Sequence, residues 1–193
     1  MKDTLQKNKA CRKIGRIAVV IAWCLMMLCP QYARPETLSG LEYQVKAGFI
    51  YNFAKFIEWP PSAFENSDTI DLCFVSDNPL SDALFDLNDK IVSGRKIKVR
   101  KYEDGNDTEM CNIFFFGTTD REFIQQKLIE SENRSILTVG ETEGFAQMGG
   151  IINLFMEQNR LRFEVNVDAA RKAGLKLSSQ ILMSAEIVKE GQQ

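Results

Sequence analysis

Residues 69–87, TIDLCFVSDNPLSDALFDL, decide the fold. Thr69 to Ser76 alternate and then become continuously apolar, the pattern of a short buried strand. Asp77 or Asn78 offers a side-chain cap and Pro79 a fixed φ at the first helical position, so LSDALFDL reads as a helix. A strand followed at once by a helix is the first half of a βαβ unit, which commits the chain to an α/β fold. The turn between them reads SDNP. With no glycine fingerprint there, the backbone has no close approach to a pyrophosphate, which argues against a dinucleotide site.

Downstream, SGRKIKVRKYE (93–103) supports a second strand through Ile97, Val99 and Tyr102, with alternate basic residues placing it half exposed near an edge. After the polar loop EDGNDTEM, CNIFFFG (111–117) is the most apolar short run of the mature chain and reads as a central strand. Thr118 or Thr119 caps a helix over DREFIQQKLIE, whose Phe123, Ile124, Lys127 and Leu128 share a face, and SILTVG returns as a buried strand. A glycine-bearing turn, ETEGFAQMGG (141–150), feeds a hairpin of IINLFMEQ and RLRFEVNV, with Asn159 suited to positive φ at its tip. The remaining stretch, residues 168–190, reads as two helices separated by Gly174 as C-cap and restarted by Ser178 or Ser179. The sum is a single α/β domain over 34–193. Its mixed sheet has about six strands with helices on both faces, a Rossmann-like three-layer arrangement.

Upstream, LSGLEYQVKAGFIYNFAKFIEWP (38–60) is a long amphipathic helix with a Ser39/Glu42 capping box and Leu38 stapled onto Tyr43. Leu41, Val45, Phe49, Phe53 and Phe56, widened by Ile50, Ala54 and Ile57, form an apolar stripe expected to be buried. Pro60 and Pro61 end the helix, and Trp59 is the aromatic expected to lie outside. Before it, a basic leader runs into 13 apolar residues, Ile17 to Cys29, and then a polar break. That is the pattern of a secretory signal, 1–33, cleaved after Ala33; an uncleaved anchor and a lipidated Cys29 are the alternatives. Its loss removes six Lys/Arg and one Asp from 24 and 26, leaving 18 basic and 25 acidic residues, a net charge of −7. An acidic exported domain does not suit nucleic acid.

The 193 residues contain no histidine, which removes Ser-His-Asp and Cys-His chemistry. Cys11, Cys24 and Cys29 lie in the leader, so the mature chain keeps Cys73 and Cys111. In an oxidising compartment these read either as one disulfide or as two separately buried thiols. Glu141 with Glu143, and Asp104 with Asp107, are acidic pairs with nothing to fix a metal-ligand spacing, and Gly149-Gly150 reads as turn chemistry before a strand. Arg160 and Arg162 alternate with Glu164 on one strand face, a charged surface open to a partner. No catalytic group and no cofactor motif emerges, and a binding role is favoured by elimination.

The segments VKAGFIYNFAKFIEWP, LCFV, GRKIKVR, CNIFFFG, ILTVG, FAQMGGIINL, RLRFEVN and AARKAGLKLSSQIL, in this order from about Gln44 to Ala185, resemble the YfiR family. The resemblance implies a periplasmic protein of a Gram-negative bacterium. Its expected role is to repress an inner-membrane diguanylate cyclase by binding that enzyme's periplasmic sensor domain, not to catalyse. Cys73 and Cys111 match the family's disulfide pair, whereas a second C-terminal disulfide found in some members has no cysteines here. The implied partners are the periplasmic domain of a sensor (cyclase or kinase), a sequestering envelope protein and a second copy of the chain. Asn52, Lys55 and Trp59 near the end of the first helix are the first candidate partner surface, and Arg160 with Arg162 the second. A periplasmic small-ligand module, with its pocket near the Gly144–Gly150 turn, is the alternative function.

Overall fold

The computed structural model describes residues 38–65, 67–76, 79–103 and 110–188. The leader with Cys11, Cys24 and Cys29, the Leu38 staple and Ser39 cap, the Asp77/Asn78 cap and the Asp104/Asp107 pair lie outside the described residues or side chains. The chain begins with helix α1 (Leu38–Phe56), the two-residue strand β1 (Ile57–Glu58) and a 3-10 turn over Pro61–Phe64. It then runs β2 (Thr69–Ser76), α2 (Leu80–Phe85), β3 (Ile91–Val92), β4 (Arg95–Lys101), β5 (Ile113–Gly117), α3 (Arg121–Ser131) and β6 (Leu137–Gly140). It closes with β7 (Ile152–Glu157), β8 (Arg160–Asn166), α4 (Val167–Lys172), β9 (Lys176–Leu177), α5 (Ser179–Ser184) and β10 (Glu186–Val188).

Eight strands form one mixed sheet in the order β10-β8-β7-β6-β5-β2-β4-β3, while β1 and β9 pair separately. The strands from β4 through β7 are parallel, whereas β8 against β7 and β3 against β4 are antiparallel. The expected α/β class and three layers hold, with eight strands in place of about six. The two extra strands are short edges. Ser93 (φ 51°) and Gly94 (φ 82°) make a tight turn that folds Ile91–Val92 back beside β4, so β4 is next to the edge and not on it. At the far end, Glu186–Val188 is a strand parallel to β8 where continued helix was expected. β-branched Ile187 and Val188 fit a pleated edge better than a helix interior.

One core fills each face of the sheet. Ile70, Leu72 and Phe74 of β2, Ile113 and Phe115 of β5, and Leu137 and Val139 of β6 point to the side covered by α1 and α2. Cys73, Phe114 and Phe116 point to the other side, where Ile124 and Leu128 of α3, Tyr102 and Phe145 close over them. The α3 cap is Asp120, whose carboxylate accepts from the N–H groups of Glu122 and Phe123, both at 3.1 Å, and not Thr118 or Thr119. An anionic cap also faces the positive end of the helix, which favours it over a threonine hydroxyl. Ser178 caps α5 and Gly174 (φ 70°) ends α4, as the sequence indicates.

Helix α1 differs from its expected orientation. Its buried positions are Lys46, Ala47, Ile50, Phe53 and Ala54, continued by Ile57 of β1, while Leu41 is 65 % and Val45 39 % exposed. Leu41 and Val45 share the solvent-facing row with Gly48, Asn52 and Lys55. The four-residue steps 41-45-49-53 drift around the helix by about 120° in all, so Leu41 and Phe53 are not on one face. Phe49 and Phe53 anchor the helix edge-to-face on Phe163 of β8, at centroid distances of 5.9 and 5.1 Å.

The 141–150 turn is filled from within. The Phe145 ring lies where side chains at Gly140 and Gly150 would be, with an added Cβ falling 2.5 and 2.1 Å from its atoms. Gly150→Ala is therefore expected to cost about 1–3 kcal/mol by overpacking. The double variant with Phe145→Leu should recover part of that loss in a urea-unfolding cycle; additive losses would refute the close approach.

Candidate functional site

The proposed partner residues of the first helix sit at its carboxyl-terminal end. Asn52 and Lys55 are exposed, and the Lys55 ammonium stands 5.7 Å from the Tyr51 ring centroid and 5.9 Å from that of Phe56. The aromatic rings hold the charge by cation-π attraction at the surface. Trp59, expected outside, is half-buried: it packs on the main core and meets Phe64 edge-to-face at 6.2 Å. Its indole N–H is buried and has no hydrogen-bond acceptor among the described residues. An unpaired buried donor carries a desolvation cost.

Arg160 and Arg162 lie elsewhere. In β8, Phe163 faces α1, so the alternating Arg162 and Glu164 face the opposite side of the sheet. Arg162 Nε is 3.4 Å from Glu157 Oε2, and Glu164 accepts from Asn153 Nδ2 at 3.2 Å across the β7–β8 pair. The hairpin tip turns through Gln158 (φ 47°) and Asn159 (φ 63°), as Asn159 indicated. The two candidate surfaces therefore do not converge on one patch.

Glu141 and Glu143 also separate. Lys46, 8 % exposed, reaches Glu141 Oε2 at 2.7 Å and Glu42 Oε1 at 2.8 Å, tying α1 to the end of β6. Burial pulls the Lys46 ammonium towards lower pKa, but its bonds to Glu141 and Glu42 outweigh that and hold it above the ordinary lysine value. Glu143 is exposed, and its carbonyl accepts from Arg121 at 2.8 Å. Among the described residues no group of three acidic or cysteine side chains is placed to hold a metal. The turn expected to flank a small-ligand pocket is occupied by Phe145, and a crevice of about 290 Å³ between α3 and α4 touches it only at Met148 and Gly149.

Cys73 and Cys111 are joined by a disulfide, both buried, with Cα atoms 5.8 Å apart across a sequence separation of 38. Of the two readings left open by composition, the bridge holds. It is flanked by polar groups that sequence reasoning did not single out. Asp71, 3 % exposed within β2, is paired with Arg100, and Asn112 Oδ1 accepts from the Asp71 N–H at 2.9 Å. The signal was available: an aspartate inside TIDLCFV interrupts a strand that the parallel sheet buries on both faces.

These elements define a stapled α/β domain with charged and aromatic surface patches and no assembled catalytic constellation among the described residues. A family model described as YfiR/HmsC-like matches residues 43–186, and the chain belongs to that family. The family is periplasmic and regulatory, not catalytic, and acts in diguanylate cyclase signalling. Among the described residues no helix is long and apolar enough to cross a membrane.

Two outcomes follow from this geometry. Lys46→Met should destabilise the protein by about 3 kcal/mol, the order for breaking a buried ion pair. Because the folded pKa of Lys46 is raised, its contribution is complete below the unfolded value of about 10.4 and disappears as pH rises through the folded value. The stability gap between wild type and variant, from urea titrations at pH 8 to 11.5, should narrow only above about pH 10.4. Reducing the disulfide should lower the unfolding free energy by about 4 kcal/mol on the chain-entropy model, read as a lower urea midpoint.

Proposed function

We propose that the mature domain, residues 34–193 after removal of a 1–33 signal, represses an inner-membrane sensor enzyme, a diguanylate cyclase, by binding its periplasmic part. The observation that carries this reading is the family match, which runs from the second turn of α1 to the start of β10 and so includes the disulfide and both candidate surfaces. The row of exposed Leu41, Val45, Asn52 and Lys55 around half-buried Gly48 supports α1 as the side presented to the sensor. Two apolar side chains beside a glycine offer a shallow surface for a packed partner, and Lys55 adds a positive charge to an otherwise acidic domain.

Repression then works by population shift. The domain binds the inactive arrangement of the sensor more tightly than the active one and lowers cyclic di-GMP synthesis across the membrane by that difference in affinity alone. A hundredfold preference, about 2.7 kcal/mol, shifts the sensor equilibrium a hundredfold. Loss of the disulfide, or capture of the domain by another envelope protein, releases the enzyme. A second copy of the domain bound in the complex would double the surface offered to a dimeric sensor.

Cyclic di-GMP measured in cells lacking the gene tests this directly. It should rise on deletion and return to the parental level with the wild-type gene, but not with Cys73→Ser/Cys111→Ser. Lys55→Glu should weaken capture of the sensor's periplasmic part at least about tenfold while leaving the thermal midpoint unchanged. Unaltered cyclic di-GMP in all strains removes the cyclase from the scheme, and full binding by Lys55→Glu removes α1 from the interface.

A further inference from the structure

Along the outer side of α1, Leu41, Val45, Gly48, Asn52 and Lys55 follow one another in steps of four, three, four and three residues. These are the steps of a heptad seam, and from 41 to 55 such a row drifts by only about 40° around a straight helix. Gly48 stands at its middle, and the domain itself gives no reason for a glycine there. Its φ is not positive, and an added Cβ meets no atom within 4 Å outside its own stretch of helix. Glycine is the costliest residue in a helix interior after proline, because it gives up the most backbone freedom. Alanine fits the space and holds the helix better.

What glycine supplies is a gap in the ridge. With no side chain between Val45 and Asn52, a second helix can lie with its axis close to α1 and seat a side chain in the hollow. The two ends of the row differ in character. Leu41 and Val45 are exposed apolar side chains. Lys55 is held by the rings of Tyr51 and Phe56 and meets no carboxylate among the described residues, so its charge is oriented but not neutralised. A helix also suits α1 better than an extended segment does. Along this row α1 offers side chains and no free main-chain edge, so a strand laid on it leaves its own N–H and C=O groups unpaired, whereas a helix arrives with them bonded.

Resting on the repressor reading above, we propose that the part of the sensor held by α1 is itself an amphipathic α-helix, laid along this row. Its apolar side chains cover Leu41 and Val45, one of them seats over Gly48, and a carboxylate at its far end faces Lys55. A second copy of α1 meets the spacing but not the charge. Laid antiparallel about Gly48, it sets Lys55 against Leu41; laid parallel, it sets Lys55 against Lys55. Glu42, the carboxylate beside Leu41, is already held by Lys46 at 2.8 Å.

The test uses oxidised protein purified from the periplasm and, as probe, the periplasmic part of the cyclase whose removal cancels the rise of cyclic di-GMP in the deletion strain. Gly48→Ala should raise the urea midpoint, because it removes a helix-interior glycine and meets nothing. Gly48→Leu should fold with a midpoint no lower than wild type, yet weaken capture of the probe at least about tenfold by filling the gap. A benzophenone side chain placed at Val45 and, separately, at Asn52 should cross-link probe residues about seven apart, since the two positions are ~10.5 Å apart along α1, the rise of seven helical residues. Adducts about three residues apart mark an extended strand and overturn the helix. Adducts on α1 of a second domain mark self-association and overturn it too, as does a lowered midpoint for Gly48→Ala, which assigns the glycine to the fold. Full binding by Gly48→Leu removes the helix from this row and leaves repression, read separately from cyclic di-GMP, standing. A wild-type domain that captures no probe removes the repressor reading, and the helix with it.

Discussion

A strand that is apolar on both faces must be covered on both, and β5 imposes that constraint on everything else. Phe114, Phe115 and Phe116 are each fully buried, and by alternation their rings enter opposite cores. Three phenylalanines contribute roughly 1.5–3 kcal/mol each only if water is kept from both sides. One cover is α1 and α2. The other is α3 with Tyr102 and Phe145, which meets Phe116 at a centroid distance of 5.2 Å. The three-layer form is the solution to that requirement, and the glycines at 140 and 150 are what let Phe145 lie close enough to complete it.

Much of this was legible because the signals were local. The TIDLCFVS strand, the CNIFFFG strand, the Asn159 turn, the Gly174 stop and the Ser178 cap each depend on a few adjacent residues, and each stands where the sequence places it. What failed depended on distant partners. The orientation of α1 is set by Phe163, more than a hundred residues later, and by Glu141, which draws Lys46 inward and leaves Leu41 and Val45 outside. A charged residue in an apolar helix reads naturally as the solvent side. Here two carboxylates reverse that preference. Likewise β10 is a strand only because β8 offers it an edge.

The candidate surfaces were less legible than the fold. Lys55 and Asn52 could be placed outside from helical phase, and Arg160 and Arg162 from strand alternation. Trp59 could not be read correctly, since its ring depends on the 3-10 turn bringing Phe64 against it. Asp71 and Asn112 were overlooked because a polar residue in a strand announces a partner without naming it. Only the fold supplies Arg100 to one and the backbone of the neighbouring strand to the other.

The disulfide has a consequence for how the chain reaches this form. β2 and β5 are sheet neighbours, yet between them the chain leaves to build α2, β3 and β4 on the far side of β2 before it returns. Pairing them in a reduced chain requires closing a long loop before any strand contact repays the lost entropy. Once Cys73 and Cys111 are joined, the separation of 38 residues no longer has to be searched. The crossover becomes a covalent ring whose ends already meet, and the slowest pairing in the sheet becomes a local one. Oxidation is then a step in the folding route, and the rate at which folded domain accumulates is tied to the oxidising capacity of the compartment in which the chain folds.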